Sequence, residues 1–192
     1  MSRQHPRLST QDSGLTTFDM KYIALLRGVN VGGKIVKMER LRTVLADAGL
    51  RDVKTYIQSG NVVFESDEHD SVSARALVES VMEKEFFPTP VMIRTRDELV
   101  DAVKSNPFAN EDFNEKMFHI AFMNDELPKD KVELLMAQEC ETESFAVRGR
   151  EIYCFLRAGV ADSTLGKRFL ETKLKVSATA RNWRTIGKIL EL

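Results

Sequence analysis

The order in which strand and helix patterns follow one another constrains the fold of this chain most, because that order occurs twice. In the first half, four segments have strand character: Lys21 to Leu26, Val53 to Gln58, Asn61 to Glu65 and Pro90 to Arg94. The second and third are joined by Ser59 and Gly60, a turn signal. Helical patterns separate the first pair and the last pair of strands. The resulting order is β-α-β-β-α-β, the split unit of ferredoxin-like folds.

The two helices of this first unit are recognisable by apolar residues at helical spacing. Apolar positions from Met38 to Ala48 form one face, and Gly49 ends that helix. A second face runs through Leu77, Val81 and Phe86, and Pro88 ends it.

After a connecting helix over Asp97 to Lys104, the same order returns. The predicted strands are Met117 to Met123, Phe145 to Arg148, Glu151 to Leu156 and Ser177 to Ala180. The predicted helices are Asp130 to Ala137, with Asp130 as its N-cap, Thr164 to Leu174 and Asn182 to Leu190. We therefore predict an α+β protein built from two ferredoxin-like subdomains, 20–96 and 97–192.

Composition excludes several classes of protein. With 192 residues and 43% hydrophobic content, the chain can bury a substantial core. A formal net charge of −1 makes a dedicated nucleic-acid binder unlikely. Two cysteines and three scattered histidines predict neither a disulfide framework nor a metal site. We expect a cytoplasmic protein without a membrane segment.

Residues 1–19 are polar and aperiodic, so we expect a disordered extension or a true start at Met20.

The first predicted strand ends in a glycine-rich turn that carries polar side chains. Backbone N–H groups and cationic side chains at such a turn can receive a phosphate or carboxylate. Alternatively, the glycines only permit positive φ angles in a long turn. A nucleotide-binding P-loop is disfavoured because Ile35 replaces the hydroxyl residue that would hold magnesium. The candidate ligand-binding residues of this turn are Arg27, Gly28, Asn30, Gly32, Gly33 and Lys34.

Two other segments carry candidate ligand-binding residues. The hairpin turn contributes Gln58, Ser59 and Asn61; alternatively, these residues serve only the geometry of the turn. Near the C-terminus, Asn182 can cap the last helix. Arg181 and Arg184 lie at the start of that helix, where the helix dipole disfavours cations unless an anion is present. Ser59 has no nucleophile elbow and no histidine tied to it by sequence, and His119 on a strand of the second half stays open as a base.

Three motifs carry a resemblance to a known family. They are Tyr22-Ile-Ala-Leu-Leu-Arg-Gly-Val-Asn-Val-Gly-Gly-Lys34, Thr55-Tyr-Ile-Gln-Ser-Gly-Asn-Val-Val-Phe64 and Ala178-Thr-Ala-Arg-Asn-Trp-Arg-Thr185. Together they resemble the signature of a widespread bacterial family catalogued as a domain of unknown function. The resemblance runs from about Met20 to Leu192. It implies two ferredoxin-like subdomains and a site at these motifs, but no reaction and no cofactor.

We therefore expect a small anionic ligand in a cleft where the glycine turn meets the C-terminal arginines. The first alternative is a structural or regulatory partner protein without catalysis. The second is a nucleic-acid-binding module, in which Tyr22 and Phe64 would stack on bases as in the RNA-recognition fold. No acid, base or nucleophile with matched geometry can be named, so whether the protein is an enzyme stays open. The sequence indicates no oligomeric state.

Overall fold

The computed structural model describes residues 20–109, 115–161, 163–165 and 167–192, and these form two antiparallel sheets with covering helices. The first unit consists of β1 (Met20–Leu26), α1 (Met38–Asp47), β2 (Arg51–Tyr56), β3 (Asn61–Ser66), α2 (Ser71–Glu85) and β4 (Val91–Thr95), and α3 (Arg96–Lys104) follows it. Its four strands lie in the order β2-β3-β1-β4. The predicted extension over residues 1–19 lies outside the described residues.

The second unit repeats this arrangement. It consists of β5 (Phe118–Met123), α4 (Lys129–Met136), β6 (Glu143–Arg148), β7 (Glu151–Leu156), α5 (Phe169–Thr172), β8 (Ala178–Asn182) and α6 (Trp183–Leu190). Its sheet order is β6-β7-β5-β8, which matches the first sheet strand for strand. The predicted α+β fold with duplicated ferredoxin-like units is confirmed. The boundary near residue 96 stays a prediction.

Two details of the second unit differ from the sequence prediction. The helix predicted from Thr164 to Leu174 is reduced to α5, because Arg168 adopts a left-handed conformation (φ 57°, ψ 35°) that cannot continue a helix. Asp130 does not cap α4, since that helix begins one residue earlier and Pro128 occupies the N-cap. Asp130 lies instead in the first turn, where the helix dipole favours a carboxylate.

The two sheets pack against each other through a shared hydrophobic layer. Alternate residues of β1 point to opposite faces, so Tyr22 and Leu26 contact α1 and α2 while Ile23 and Leu25 face the second sheet. Helices α3 and α6 contribute to the same central layer, and α4 and α5 cover the far face of the second sheet. Burial on both faces explains why β1 reads as an unbroken apolar run.

The strand registers of the two sheets coincide. In the first sheet, Asn61 pairs with Leu25 of β1, and Arg94 pairs with Ile23, two positions earlier. In the second sheet, Glu151 pairs with Phe122 of β5, and Arg181 pairs with Ile120, again two positions earlier. Asn61 therefore occupies the position of Glu151, and Arg94 occupies the position of Arg181. This internal correspondence allows each half to serve as a reference for the other.

Candidate functional site

Arg181 projects from β8 of the second unit into the first unit and is only 8% exposed. Its Nε donates to the side-chain oxygen of Asn61, at the start of β3. The two terminal nitrogens donate to backbone and hydroxyl oxygens: Leu26 O at 2.9 Å, Ser59 O at 3.0 Å, Gly60 O at 3.4 Å, Thr179 Oγ1 at 2.7 Å and Ala180 O at 2.9 Å. Every one of these acceptors is electrically neutral.

Arg94 makes the same contacts in the opposite direction, from β4 into the second unit. Its terminal nitrogens donate to the backbone oxygens of Ile93 at 2.7 Å, Met123 at 2.7 Å and Arg150 at 3.2 Å. Its Nε, however, donates to the carboxylate of Glu151 at 2.8 Å. Each of the two arginines thus connects its own unit to the other through hydrogen bonds at equivalent positions.

The two arginines differ in whether a carboxylate neutralises their charge. Burial lowers the pKa of Arg94, and the Glu151 carboxylate opposes that shift. Burial alone lowers the pKa of Arg181 to about 10, with no opposing carboxylate. Because a pKa near 10 still leaves Arg181 protonated at neutral pH, the molecule holds a buried positive charge beside an amide. Buried charges in proteins are ordinarily paired, so this uncompensated charge is unusual.

A cleft of about 770 Å³ lies next to Arg181, between the glycine turn after β1 and the α5–β8 region. Its volume is within the range of small-molecule sites. Four cationic side chains line it: Arg27, Lys34, Arg168 and Arg181. Glu171 is the single carboxylate among the lining residues. The charge of the cleft is therefore +4 − 1 = +3 with these groups ionised, although the whole chain has a net charge of −1.

Arg27 and Glu171 form an ion pair across this cleft. The Nη2 of Arg27 donates to Glu171 Oε1 at 3.0 Å, and Nη1 donates to Ser177 Oγ at 3.4 Å. Both side chains of the pair are 26% exposed, so solvent screens the attraction. Arg27 thus has an internal partner, but a weakly held one that faces the cleft.

The glycine turn is held in place by Asn30. Its Nδ2 donates to Gln58 O at 2.6 Å and to Val36 O at 3.0 Å, while its Oδ1 accepts from Val36 N at 2.8 Å. The turn leads into α1 only at Met38, and all the strand pairs of the described residues are antiparallel. Neither feature matches a P-loop, in which a helix starts at the lysine.

The structure brings six of the predicted site residues to the cleft and leaves six outside its lining. Those that line it are Arg27, Gly28, Gly32, Lys34, Ser59 and Arg181. Those that do not are Asn30, Gly33, Gln58, Asn61, Asn182 and Arg184.

Several of the residues outside the lining have structural contacts. Asn61 is fully buried and supports Arg181, and its Nδ2 donates to Tyr56 O at 3.1 Å and to Ser59 Oγ at 3.0 Å. Asn182 caps α6 by accepting from Thr185 N at 2.8 Å. Arg184 is exposed on α6 away from the cleft, so the expected convergence of Arg184 with Arg27 and Lys34 does not occur. Arg184 is solvated at this helix start, so solvent offsets its unfavourable interaction with the helix dipole.

Sequence reasoning missed Arg168 and Glu171. Both fall in the segment predicted as one amphipathic helix, where charged residues are expected to face solvent. A left-handed arginine is uncommon, and no residue pattern marked position 168 for that conformation.

Among the described residues that line the cleft, we identify no proton-transfer pair. His119 pairs with Cys154 within the second sheet, and burial lowers the pKa of His119 and raises that of Cys154. Neither residue lines the cleft. No cluster of His, Cys, Asp or Glu suited to a metal ion occurs in the described parts of the chain. Within those parts, no helix is long and apolar enough to cross a bilayer.

Fold and site together define a duplicated ferredoxin-like protein with a cationic cleft between its halves. The sequence profile described as "Protein of unknown function (DUF1697)" matches residues 20–153, and the chain belongs to this family. Among solved structures, it is similar to the conserved bacterial protein SP0830 from Streptococcus pneumoniae, with 23% identity and a TM-score of 0.72 over 90% of this chain and 97% of that one.

A second solved structure, a putative glycine cleavage system transcriptional repressor, aligns with 13% identity over 85% of this chain and 96% of that one. Its TM-score of 0.24 is too low to support a common fold. No curated protein matches the sequence.

Proposed function

We propose that the protein binds a small anionic ligand in the cleft between its two units. The observation that supports this most strongly is the difference between the partners of Arg94 and Arg181. Where Arg94 has the Glu151 carboxylate, Arg181 has the neutral side-chain oxygen of Asn61. One half of the molecule neutralises its buried arginine internally, and the other leaves the charge next to an open cleft.

The surrounding charges strengthen the attraction. Lys34 and Arg168 have no carboxylate partner among the described residues, and Lys34 only lies over the ring of Phe87 at 5.3 Å. Arg27 can exchange its partly exposed partner Glu171 for a ligand oxygen. A hydrogen bond between charged groups contributes about 1.5–3 kcal/mol, so two or three such contacts would give measurable affinity.

Burial of the two candidate rings argues against the nucleic-acid alternative in its base-stacking form. Tyr22 and Phe64 are completely buried against the helices of the first unit, so neither ring can stack on a base. A structural or regulatory protein without a ligand remains the competing proposal.

The proposal is tested by titrating pyrophosphate into the protein in a calorimeter at low ionic strength. Arg168→Ala and Lys34→Ala each remove a cation that lines the cleft. We expect each to weaken binding by about threefold or more, an effect that added salt reduces. Arg184→Ala is the matched control because it removes the same charge from an exposed position outside the lining.

Equal weakening by all three substitutions would mean that pyrophosphate binds to the protein surface without using the cleft. The absence of any heat of binding with wild-type protein, at any concentration tested, would favour the structural or regulatory alternative.

A further inference from the structure

We propose that the backbone amides of the glycine turn bind a phosphoryl group, so that the ligand is a phosphate monoester with an apolar portion. This inference rests on the proposed function and names the ligand class for the same cleft. It follows from where hydrogen-bond donors remain after the protein's own contacts are counted.

Arg181 supplies positive charge but has no donor to spare. Its nitrogens already donate to Asn61 and to five other oxygens around it. A ligand anion would therefore be attracted by the charge of Arg181 without a direct hydrogen bond to it. The donors that contact the anion must come from another part of the cleft wall.

The turn between β1 and α1 has such donors. Among the described residues, no acceptor is found for the backbone N–H groups of Gly28, Val29, Val31, Gly32 and Gly33. The amides of Arg27, Asn30, Lys34 and Val36 do have acceptors. Four of the five unengaged residues line the cleft, and Gly33 is adjacent to them in the chain.

Residues of positive φ alternate with other residues along this turn. Gly28, Asn30 and Gly32 have φ angles of 69°, 57° and 59°, whereas Val29 and Val31 between them do not have positive φ. Such alternation is typical of the concave backbone turns called nests, whose N–H groups bind anions. A methyl group on Gly28, Gly32 or Gly33 would meet no other atom within 4 Å. These glycines are therefore required by backbone conformation rather than by lack of space.

The number of donors favours phosphate over carboxylate. A phosphoryl group offers three strong acceptor oxygens, whereas a carboxylate offers two oxygens in one plane. Arg27 and Lys34 flank the turn and can supply further charged contacts. A tetrahedral oxyanion can use donors that converge from several directions.

Part of the cleft wall is apolar. This part is formed by Leu26, Val29, Pro90, Ala178 and Ala180, whereas charged and hydroxyl side chains line much of the rest. The apolar part can pack against an apolar portion of the ligand. The cleft thus combines a phosphoryl position at the turn with an apolar position beside it.

The test is an NMR titration of isotope-labelled full-length protein with inorganic phosphate, and with acetate at matched ionic strength. Phosphate should move the amide proton resonances of Gly28, Gly32 and Gly33 downfield in a saturable way, because these N–H groups gain an acceptor. Acetate should bind about tenfold more weakly or not at all. Gly49 and Gly159, which are outside the cleft lining, are internal controls that should not move.

Three outcomes would overturn the inference in different ways. Saturable phosphate shifts at Thr179 and Ala180 without shifts in the turn would retain an anionic ligand but reject the amide site. Acetate binding as tight as phosphate, with the same shifts, would reject the phosphoryl class. The absence of saturable shifts anywhere around the cleft would contradict the proposed function as well.

Discussion

At the scale of single residues, the most informative comparison is between Arg94 and Arg181. Both lie on the fourth strand of their unit, both are buried, and both donate to equivalent oxygens of the opposite unit. The side chain that receives Nε is a carboxylate for Arg94 and an amide for Arg181. Desolvation of a guanidinium is costly, so the missing carboxylate should lower the stability of the free protein.

The contribution of the internal carboxylate can be measured with Glu151→Gln. This change leaves Arg94 buried and unpaired, so we expect a loss of about 3–5 kcal/mol in the free energy of unfolding. Glu191→Gln is the matched control, since Glu191 is exposed and pairs with Lys188 on the surface at 2.7 Å. Urea unfolding curves of both variants provide the comparison. If Glu151→Gln were as mild as its control, the Glu151 carboxylate would contribute no more to stability than an amide in its place.

The contact between Arg181 and Asn61 could not be predicted from the sequence. Arg181 and Asn61 were both recognised as candidate site residues. Their contact spans 120 positions of chain, and no local pattern encodes it. Arg94 was seen only as part of a strand, because a single arginine in an apolar run carries no signal of its partner.

At the scale of elements, the hairpin between β2 and β3 positions the site. The carbonyl oxygen of Gly60 accepts hydrogen bonds from Leu26 N at 2.8 Å and from Arg181 Nη2 at 3.4 Å. A Cβ atom on Gly60 would lie 2.7 Å from the Cβ of Leu26, and its φ is 73°. Glycine is therefore required there both by backbone conformation and by close approach.

Gly60→Ala separates these two requirements when it is compared with Gly49→Ala. Gly49 also has positive φ (97°), but a methyl group there would meet nothing within 4 Å. We expect Gly60→Ala to lose about 1–3 kcal/mol more than Gly49→Ala, because only the former forces atoms apart. Thermal unfolding of both variants measures the difference. Equal losses would indicate that the turn can move away from β1 without cost.

Most elements were predictable because their signals are local. Strands β1, β3 and β7 are nearly continuous apolar runs, and α2 and α6 present one apolar face each. α5 was overestimated, since the left-handed Arg168 interrupts a segment with ordinary helical composition. The conformation of such a position depends on its tertiary surroundings, which a single sequence does not show.

At the scale of the whole molecule, the duplication places the cleft between two similar units. It also makes visible that the units differ in the partner of their buried arginine. The repeated element order predicted two similar units, and the matching strand registers confirm their similarity. How the units face each other was not predictable, because the shared layer is built from apolar residues that carry no directional signal. The cleft depends on that packing, so only its individual residues could be proposed from sequence.

The most direct test of the central claim, that the uncompensated charge of Arg181 serves an external anion, is phosphate affinity in Asn61→Asp. This substitution places a carboxylate beside Arg181, as Glu151 stands beside Arg94. Asn182→Asp is the control, because it adds the same charge at a helix N-cap, where Asp is well tolerated. The thermal midpoint of each variant without phosphate reports any cost of the lost Asn61 amide bonds.

We expect calorimetry to show that Asn61→Asp binds inorganic phosphate about tenfold more weakly than the wild type, or not at all, while the control retains its affinity. A folded Asn61→Asp protein with wild-type phosphate affinity would contradict the account, because Arg181 would then be neutralised without consequence for binding.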